Sequence, residues 1–339
     1  MDVSKKSLVL ICLLLLICLV LSFSLYSIKF SNSVICNDND VIKKIDGAHY
    51  LEAFDIMDFS DNHINTIDIV SKEYINNMIS VSDSDFRLSD ELNNKITNLI
   101  QSYGAASSFY IVSLDDGMSV GYNVDKKYET ASSIKAPYAL YVYREIAKGN
   151  IDPNRVITYE PTYYNKGTGV VKNSDFGTGF TVRKLVYYSL NDSDNVAHIM
   201  LHRNFGVKGY NAMLQNLGTQ QLYLTASNPW GFTSARSAAL VWQDIYNFAI
   251  EDSYGIELMN ILSNGKYNYF KEVMPTIPSA SKTGFANSDV VETGIVFDKH
   301  PYIAIAEANK GGSRGAYTQI LQLVNAMNEI MQEYNTYLE

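Results

Sequence analysis

Residues 279–308 read SASKTGFANSDVVETGIVFDKHPYIAIAEA. Three runs of β-branched, aromatic and small residues lie within it: Ser279 to Phe285, Val291 to Phe297 and Tyr302 to Ala308. The polar groups Asn287-Ser288-Asp289 and Asp298-Lys299-His300 separate them and read as turns. Connections this short join antiparallel neighbours, so the stretch predicts three consecutive strands of one antiparallel sheet. The first strand starts on Ser281-Lys282-Thr283-Gly284, which places a cation beside a hydroxyl and a glycine. Alone, Lys-Thr-Gly is a strand end and nothing more.

Working outward, an amphipathic helix from about Tyr317 to Tyr334 follows the strands. Near the other end of this region, Ser89 can cap a helix reaching about Ser102, with Leu92, Ile96, Leu99 and Ile100 on one stripe. Ser108 to Val112 and Met118 to Asn123 flank Asp115-Asp116-Gly117, the pattern of a β-hairpin. Between the two strand groups the pattern is helical. Pro137 has no N–H for the carbonyl of Ser133, so a helix can begin near Ser132 but hardly before it, and Gly149 ends it. Thr181 caps a helix through Leu190, Val196 to Leu201 restart one, and helical signal continues to about Leu262. This order predicts an α/β (α+β) fold: an antiparallel sheet covered by the terminal helices, with an all-helical second lobe. The expected sheet lobe comprises residues 88–130 and 275–339, and the helical lobe residues 131–274. A cleft between lobes is a common ligand site.

Two further motifs fall where such a cleft would collect them. Ser132-Ser133-Ile134-Lys135 places a serine and a lysine one helical turn apart on the same face. Ser193-Asp194-Asn195 supplies a hydroxyl and an amide, although such a tripeptide alone is a polar turn with Asp194 capping the next helix. A serine is a poor nucleophile without a nearby base. Lys135 can be that base when neutral, and burial together with the like charge of Lys282 would lower its pKa. The helix start adds positive potential that favours a developing alkoxide on Ser132. Other candidates are weaker. His198 and His202 have the spacing of a metal pair, but no third ligand suggests itself, so a packed or surface pair and no metal site are expected. Gly311-Gly312-Ser313-Arg314-Gly315 has no phosphate-loop pattern, and no cofactor is expected.

Composition bounds the rest. The chain has 339 residues and a formal net charge of −9, with no stretch dense in Lys and Arg, which argues against a nucleic-acid partner. Lys5 and Lys6 precede an apolar run from Leu8 to Leu21 that continues weakly to Ile28. About 20 apolar residues span a bilayer as a helix. With lysines before the run and no small-x-small cleavage pattern after it, residues 1–28 predict a signal anchor, membrane-inserted through 7–28. The expected location is the cell membrane, single-pass, with the catalytic portion extracytoplasmic. Cys12 and Cys18 lie inside the run and leave Cys36 alone outside, so no disulfide framework forms. Residues 29–87 are acidic and irregular and read as a spacer.

From about Leu88 to Tyr334 the chain resembles the penicillin-recognising serine enzymes, most closely class A β-lactamases. Ala131-Ser132-Ser133-Ile134-Lys135 looks like that family's nucleophile segment. Lys166-Gly167-Thr168-Gly169, followed by Thr181-Val182-Arg183-Lys184-Leu185, resembles the approach to its Ser-Asp-Asn loop. The resemblance implies Ser132 as nucleophile, Lys135 as its base and Ser193 as proton relay to the leaving nitrogen. It implies that Asn195 orients Lys135 and accepts the substrate amide, and that Lys282 and Thr283 hold a substrate carboxylate. Gly284 would let the strand approach substrate, and the backbone N–H groups of Ser132 and Phe285 would form an oxyanion hole.

One departure bears on the reaction. No Asp or Glu occurs between Asp194 and Asp244, and the segment that should carry the family's deacylating glutamate, 218–232, reads GTQQLYLTASNPWGF. The expected function is therefore a D,D-peptidase-type hydrolase that acylates on peptidoglycan stem peptides and β-lactams and deacylates slowly. A working β-lactamase using another base and a non-turnover sensor of wall fragments are the alternatives.

Overall fold

A computed structural model of the chain describes residues 73–76, 79–82 and 86–339, position 311 excepted. The predicted anchor, residues 7–28, lies outside the described residues, and among those described no helix is long and apolar enough to cross a membrane.

The three predicted strands form as β9 (Ser279–Ala286), β10 (Asp289–Val296) and β11 (Tyr302–Ala308). The hairpin upstream forms as β3 (Ser107–Ser113) and β4 (Ser119–Tyr122). Two strands that the sequence pattern left inside the acidic spacer, β1 (Glu73–Asn76) and β2 (Ile79–Ser82), extend the sheet beyond β4. The seven strands run β1-β2-β4-β3-β11-β10-β9, antiparallel throughout. Short polar turns make β9–β10–β11 a meander, and long-range pairing of Ser107 with Ala308 through Ser113 with Tyr302 sets it beside β3.

Both faces of the central strands are covered. On one side, Phe109, Ile111, Ala304 and Ala306 pack with Ile96 and Ile100 of α1 (Asp90–Tyr103) and with Ile320, Val324 and Met327 of the C-terminal helix (Gly312–Leu338). On the other, Tyr110, Val112, Ile303 and Ile305 join the core of the helical lobe. Burial on two faces explains why Phe109 to Val112 read as a continuous apolar run rather than an alternating one. Each such Ile or Val removes enough apolar surface from water to stabilise the fold by about 1.5–3 kcal/mol.

The helical lobe contains α2 (Lys135–Ala147), α3 (Val182–Asn191), α4 (Asn195–Phe205), α5 (Lys208–Asn216), α6 (Ala235–Glu251) and α7 (Ser253–Ser263). Several of the predicted caps form as read. Ser89 Oγ accepts from Leu92 N at 3.2 Å and Thr181 Oγ1 from Lys184 N at 3.2 Å, while Gly149 closes the end of α2 with φ +75°. A short α8 (Tyr269–Val273) then leads to β9 and packs Phe270 into the sheet-side core. Smaller pairings between β5 (Tyr128–Glu129) and β8 (Phe232–Thr233), and between β6 (Val156–Thr158) and β7 (Gly179–Thr181), complete the described elements. The C-terminal helix is α9 below.

Candidate active site

The Ser132 segment sits at a junction. Thr130 follows the short β5 strand, and Ala131–Ile134 form a 3₁₀ turn before the α-helix opens at Lys135. Ser132 therefore stands one step ahead of α2, on a tighter turn than the sequence predicted. Ala131 takes φ 45°, a left-handed conformation that costs an alanine about 1–2 kcal/mol. Surrounding contacts hold it there. Thr130 N and Oγ1 each donate to Gly231 O at 3.0 Å, and Ser133 Oγ donates to Thr130 O at 2.8 Å. Against this turn lies β9. A Cβ on Gly284 would come within 2.2 Å of Thr130 O and 3.0 Å of Ser133 N. The missing side chain thus makes room for the nucleophile turn, a closer constraint than the expected approach to substrate.

Lys135 brings the motifs together. Its side chain is fully buried, and its Nζ lies 2.8 Å from Ser132 Oγ, 2.7 Å from the Ser193 carbonyl, 2.7 Å from Asn195 Oδ1 and 3.3 Å from Ser193 Oγ. Burial and then the nearby charge of Lys282 push its pKa well below the usual lysine value, with Asp194 opposing. Lys282 is also buried. Its amine donates to the Thr283 carbonyl at 3.0 Å, and desolvation brings it down to about 8.

The Ser193 turn is built from outside its own three residues. Ser193 has φ 51°, again left-handed. Asp194 is completely buried and accepts from Val170 N at 2.6 Å, Val171 N at 2.8 Å and Ala197 N at 2.9 Å, so one carboxylate caps α4 and fastens the 165–171 loop. Thr168 Oγ1 donates to the Ser193 carbonyl at 2.7 Å, and Asn195 Nδ2 donates to Asn165 Oδ1 at 3.2 Å. Two glycines permit this contact. A Cβ on Gly167 would overlap Asn195, and one on Gly169, at φ +116°, would overlap Asp194. Backbone hydrogen bonds to a buried charge contribute about 1.5–3 kcal/mol each. Asp194→Ala should therefore lower stability by at least about 3 kcal/mol in denaturant unfolding, whereas an unchanged midpoint would show that the three bonds are not what holds this turn.

Ser132, Ser193, Asn195, Thr283 and Phe285 line one cleft of about 760 Å³. Sequence reading missed Asn165, Asn228, Tyr267 and Tyr269 in its wall. Asparagine and tyrosine are abundant here, and nothing in their local pattern distinguishes these copies. Trp230 both lines the cleft and packs, its ring 5.1 Å from that of His198. Of the two placements the sequence left open for the histidine pair, packed or surface, the structure takes the first. His198 and His202 are buried, and their Nε2 atoms meet the Pro229 carbonyl at 2.9 Å and the Thr225 carbonyl at 3.0 Å. They pin the 218–232 segment to α4, and burial takes His198 down to about 3, leaving it neutral. Among the described residues no group of His, Cys, Asp and Glu could hold a metal.

The pinned segment offers Asn228, Trp230, Gly231 and Phe232 to the cleft and no carboxylate. Among the cleft-lining residues the acidic side chain is Glu129, whose Oε2 accepts from Asn287 Nδ2 at 2.8 Å.

A cleft-lining serine beside a buried lysine, with an amide-bearing turn, in a cleft between a sheet and a helical lobe defines a serine hydrolase of the β-lactamase type. The chain belongs to the β-lactamase enzyme family, whose profile matches residues 91–331. Among curated proteins none matches the sequence. Solved structures share the fold at low identity. A β-lactamase from Sphaerobacter thermophilus aligns with TM-score 0.62 and 20% identity over 70% of this chain and 94% of its own. The protein PBP-A aligns with TM-score 0.65 and 19% identity over 72% and 97%. A β-lactamase from Xanthomonas campestris pv. campestris gives 0.62 and 14% over 71% and 98%.

Proposed function

We propose that this protein is a membrane-anchored, extracytoplasmic hydrolase of the D,D-peptidase type. It forms an acyl-enzyme at Ser132 with peptidoglycan D-alanyl peptides and with β-lactams, and releases the acyl group slowly. The observation that carries the first half is the donor inventory around Lys135. The Ser193 carbonyl and Asn195 Oδ1 can only accept hydrogen bonds. A neutral Lys135 amine gives its two N–H groups to them, which leaves its lone pair facing Ser132 Oγ at 2.8 Å. As Oγ attacks the carbonyl, its proton passes to Lys135. Ser193 Oγ, 3.3 Å from Nζ, then hands a proton to the departing nitrogen while the C–N bond breaks. The N–H groups of Ser132 and Phe285 are the proposed donors to the oxyanion. A mutant of PBP-A has been solved as an acyl-enzyme with penicillin G, in keeping with that chemistry on this fold.

The second half rests on the 218–232 segment. It is fastened at several points, with Tyr210 Oη and Asn211 Nδ2 donating to the Leu222 and Leu224 carbonyls at 2.9 Å. It puts no carboxylate in reach of a water at Ser132. The apolar run at residues 8–21 supports the location. Incubation with a penicillin, followed by intact-mass measurement over time, should show one adduct that persists for many minutes and is absent in Ser132→Ala. A folded protein that gains no adduct overturns the reading, while an adduct that turns over within a second favours a working β-lactamase.

A further inference from the structure

Beside the proposed carboxylate site lies a carboxyl group that the acylation chemistry leaves unused. Glu292 on β10 stands opposite Thr283 in the antiparallel register, so the two side chains share a face, and Glu292 is fully buried. The Thr283 hydroxyl donates to Glu292 Oε2 and lies 3.1 Å from the Tyr267 carbonyl. One hydroxyl has one proton. With Glu292 ionised both partners only accept, so Thr283 turns its proton inward and presents lone pairs to the cleft. An incoming carboxylate would find no donor there and, one side chain behind, a second negative charge in a dry interior. With Glu292 protonated the chain reverses: Glu292 donates to Thr283, and Thr283 donates to the substrate.

The groups facing Glu292 do not cancel its charge in advance. Lys282 on β9 is the nearby cation, but it is turned to the Thr283 carbonyl. From α8 come Tyr269, beside the Glu292 carboxyl, and Glu272, which accepts from Tyr317 of α9, and among the described residues Glu292 Oε1 has no hydrogen-bond partner. Lys271 of α8 donates to the Ser263 carbonyl. Burial outweighs Thr283, Ser281 and Lys282 and raises the Glu292 carboxyl to about 7.

We propose that Glu292 is a specificity-determining residue of the acyl-donor site. While ionised it excludes a terminal carboxylate from Lys282 and Thr283, and it admits one only with uptake of a proton. At neutral pH and above, the cleft then prefers donors whose end at this position is uncharged, an amide or ester in place of an acid. This rests on the acyl-enzyme reading and narrows it: D-alanyl peptides and β-lactams that carry a free carboxylate here are admitted only with uptake of a proton.

The probes are benzylpenicillin and its methyl ester, with acylation rates read by intact mass between pH 6 and 8. Dividing the two rates cancels the common dependence on Lys135. One linked proton changes the ratio by at most about tenfold per pH unit. The acid-to-ester ratio should fall about tenfold from pH 6 to pH 8, and Glu292→Gln should raise it about tenfold at pH 8. A flat ratio in the unmodified protein overturns the proposal. So does a Glu292→Gln ratio at pH 8 that is unchanged or lower, the result expected if neutralisation of Lys282 alone sets the trend. Should the Gln variant not fold, Lys282→Arg decides: its permanent charge leaves the fall in place if Glu292 is responsible and abolishes it otherwise. No adduct with either probe at any pH overturns the acyl-enzyme reading and this proposal together, whereas labelling by both at a constant ratio overturns this proposal alone.

Discussion

Lys135→Met should lower the rate of β-lactam acylation by roughly 10³-fold, in the middle of the range for losing a positioned general base. The variant should fold, because methionine has a similar length and carries no charge into a site with no exposure. In the unmodified protein acylation needs Lys135 neutral. Its rate should therefore rise with pH through the lowered pKa, while the residual rate of Lys135→Met shows no such rise. Stability follows from the same shift. The folded pKa lies below the unfolded one, so between the two the unfolded chain binds the extra proton and stability increases with pH. Below the folded pKa the fold must hold a buried ammonium, and this penalty disappears in Lys135→Met. Its melting temperature at pH 7 should equal or exceed that of the parent. A variant that keeps the parental acylation rate would remove Lys135 from the role of base.

Gly284→Ala should damage the sheet and the Ser132 turn together. The new Cβ would lie 2.2 Å from the Thr130 carbonyl oxygen and 3.0 Å from Ser133 N. Both are backbone atoms of a turn fastened to Gly231, so no flexible side-chain tip can yield. Overpacking of this kind costs about 1–3 kcal/mol. Relief requires β9 and the 131–134 turn to separate, and a displacement near 1 Å at a reacting group costs about 10²-fold in rate. The expected result is a lower melting temperature together with about a hundredfold slower acylation. An acylation rate within twofold of the parent would show that the turn does not set the position of Ser132.

Much of this architecture was legible along the chain. The β9–β10–β11 meander, the hairpin at β3 and β4, and the caps at Ser89 and Thr181 depend on hydrogen bonds and apolar spacing within a few residues. That His198 and His202 are packed and not exposed could not be read locally, because the Pro229 and Thr225 carbonyls that hold them come from a separate segment. Other features left weaker traces. Glu292 interrupts the apolar run Val290 to Val296, and a charge in the middle of a buried strand is a signal that local pattern could have raised. The strands β1 and β2 gave no such warning, since these four-residue pieces inside an acidic stretch pair with each other and join the sheet only where β2 meets β4.

Along the chain alone, the candidate reacting groups and their order were already readable: a serine followed three residues later by a lysine, an amide-bearing turn, and a cation near the start of a strand. The sequence also determined the strand and helix content, because periodicity and capping act locally. Only the tertiary structure decided how those groups serve one another. The left-handed backbone at Ala131 and Ser193, the closeness of Lys135 to Asn195, and the seat of Thr283 against Glu292 all arise from contacts between distant segments. Their energies come from burial, close backbone approach and shared protons, quantities that exist only once the chain has closed on itself.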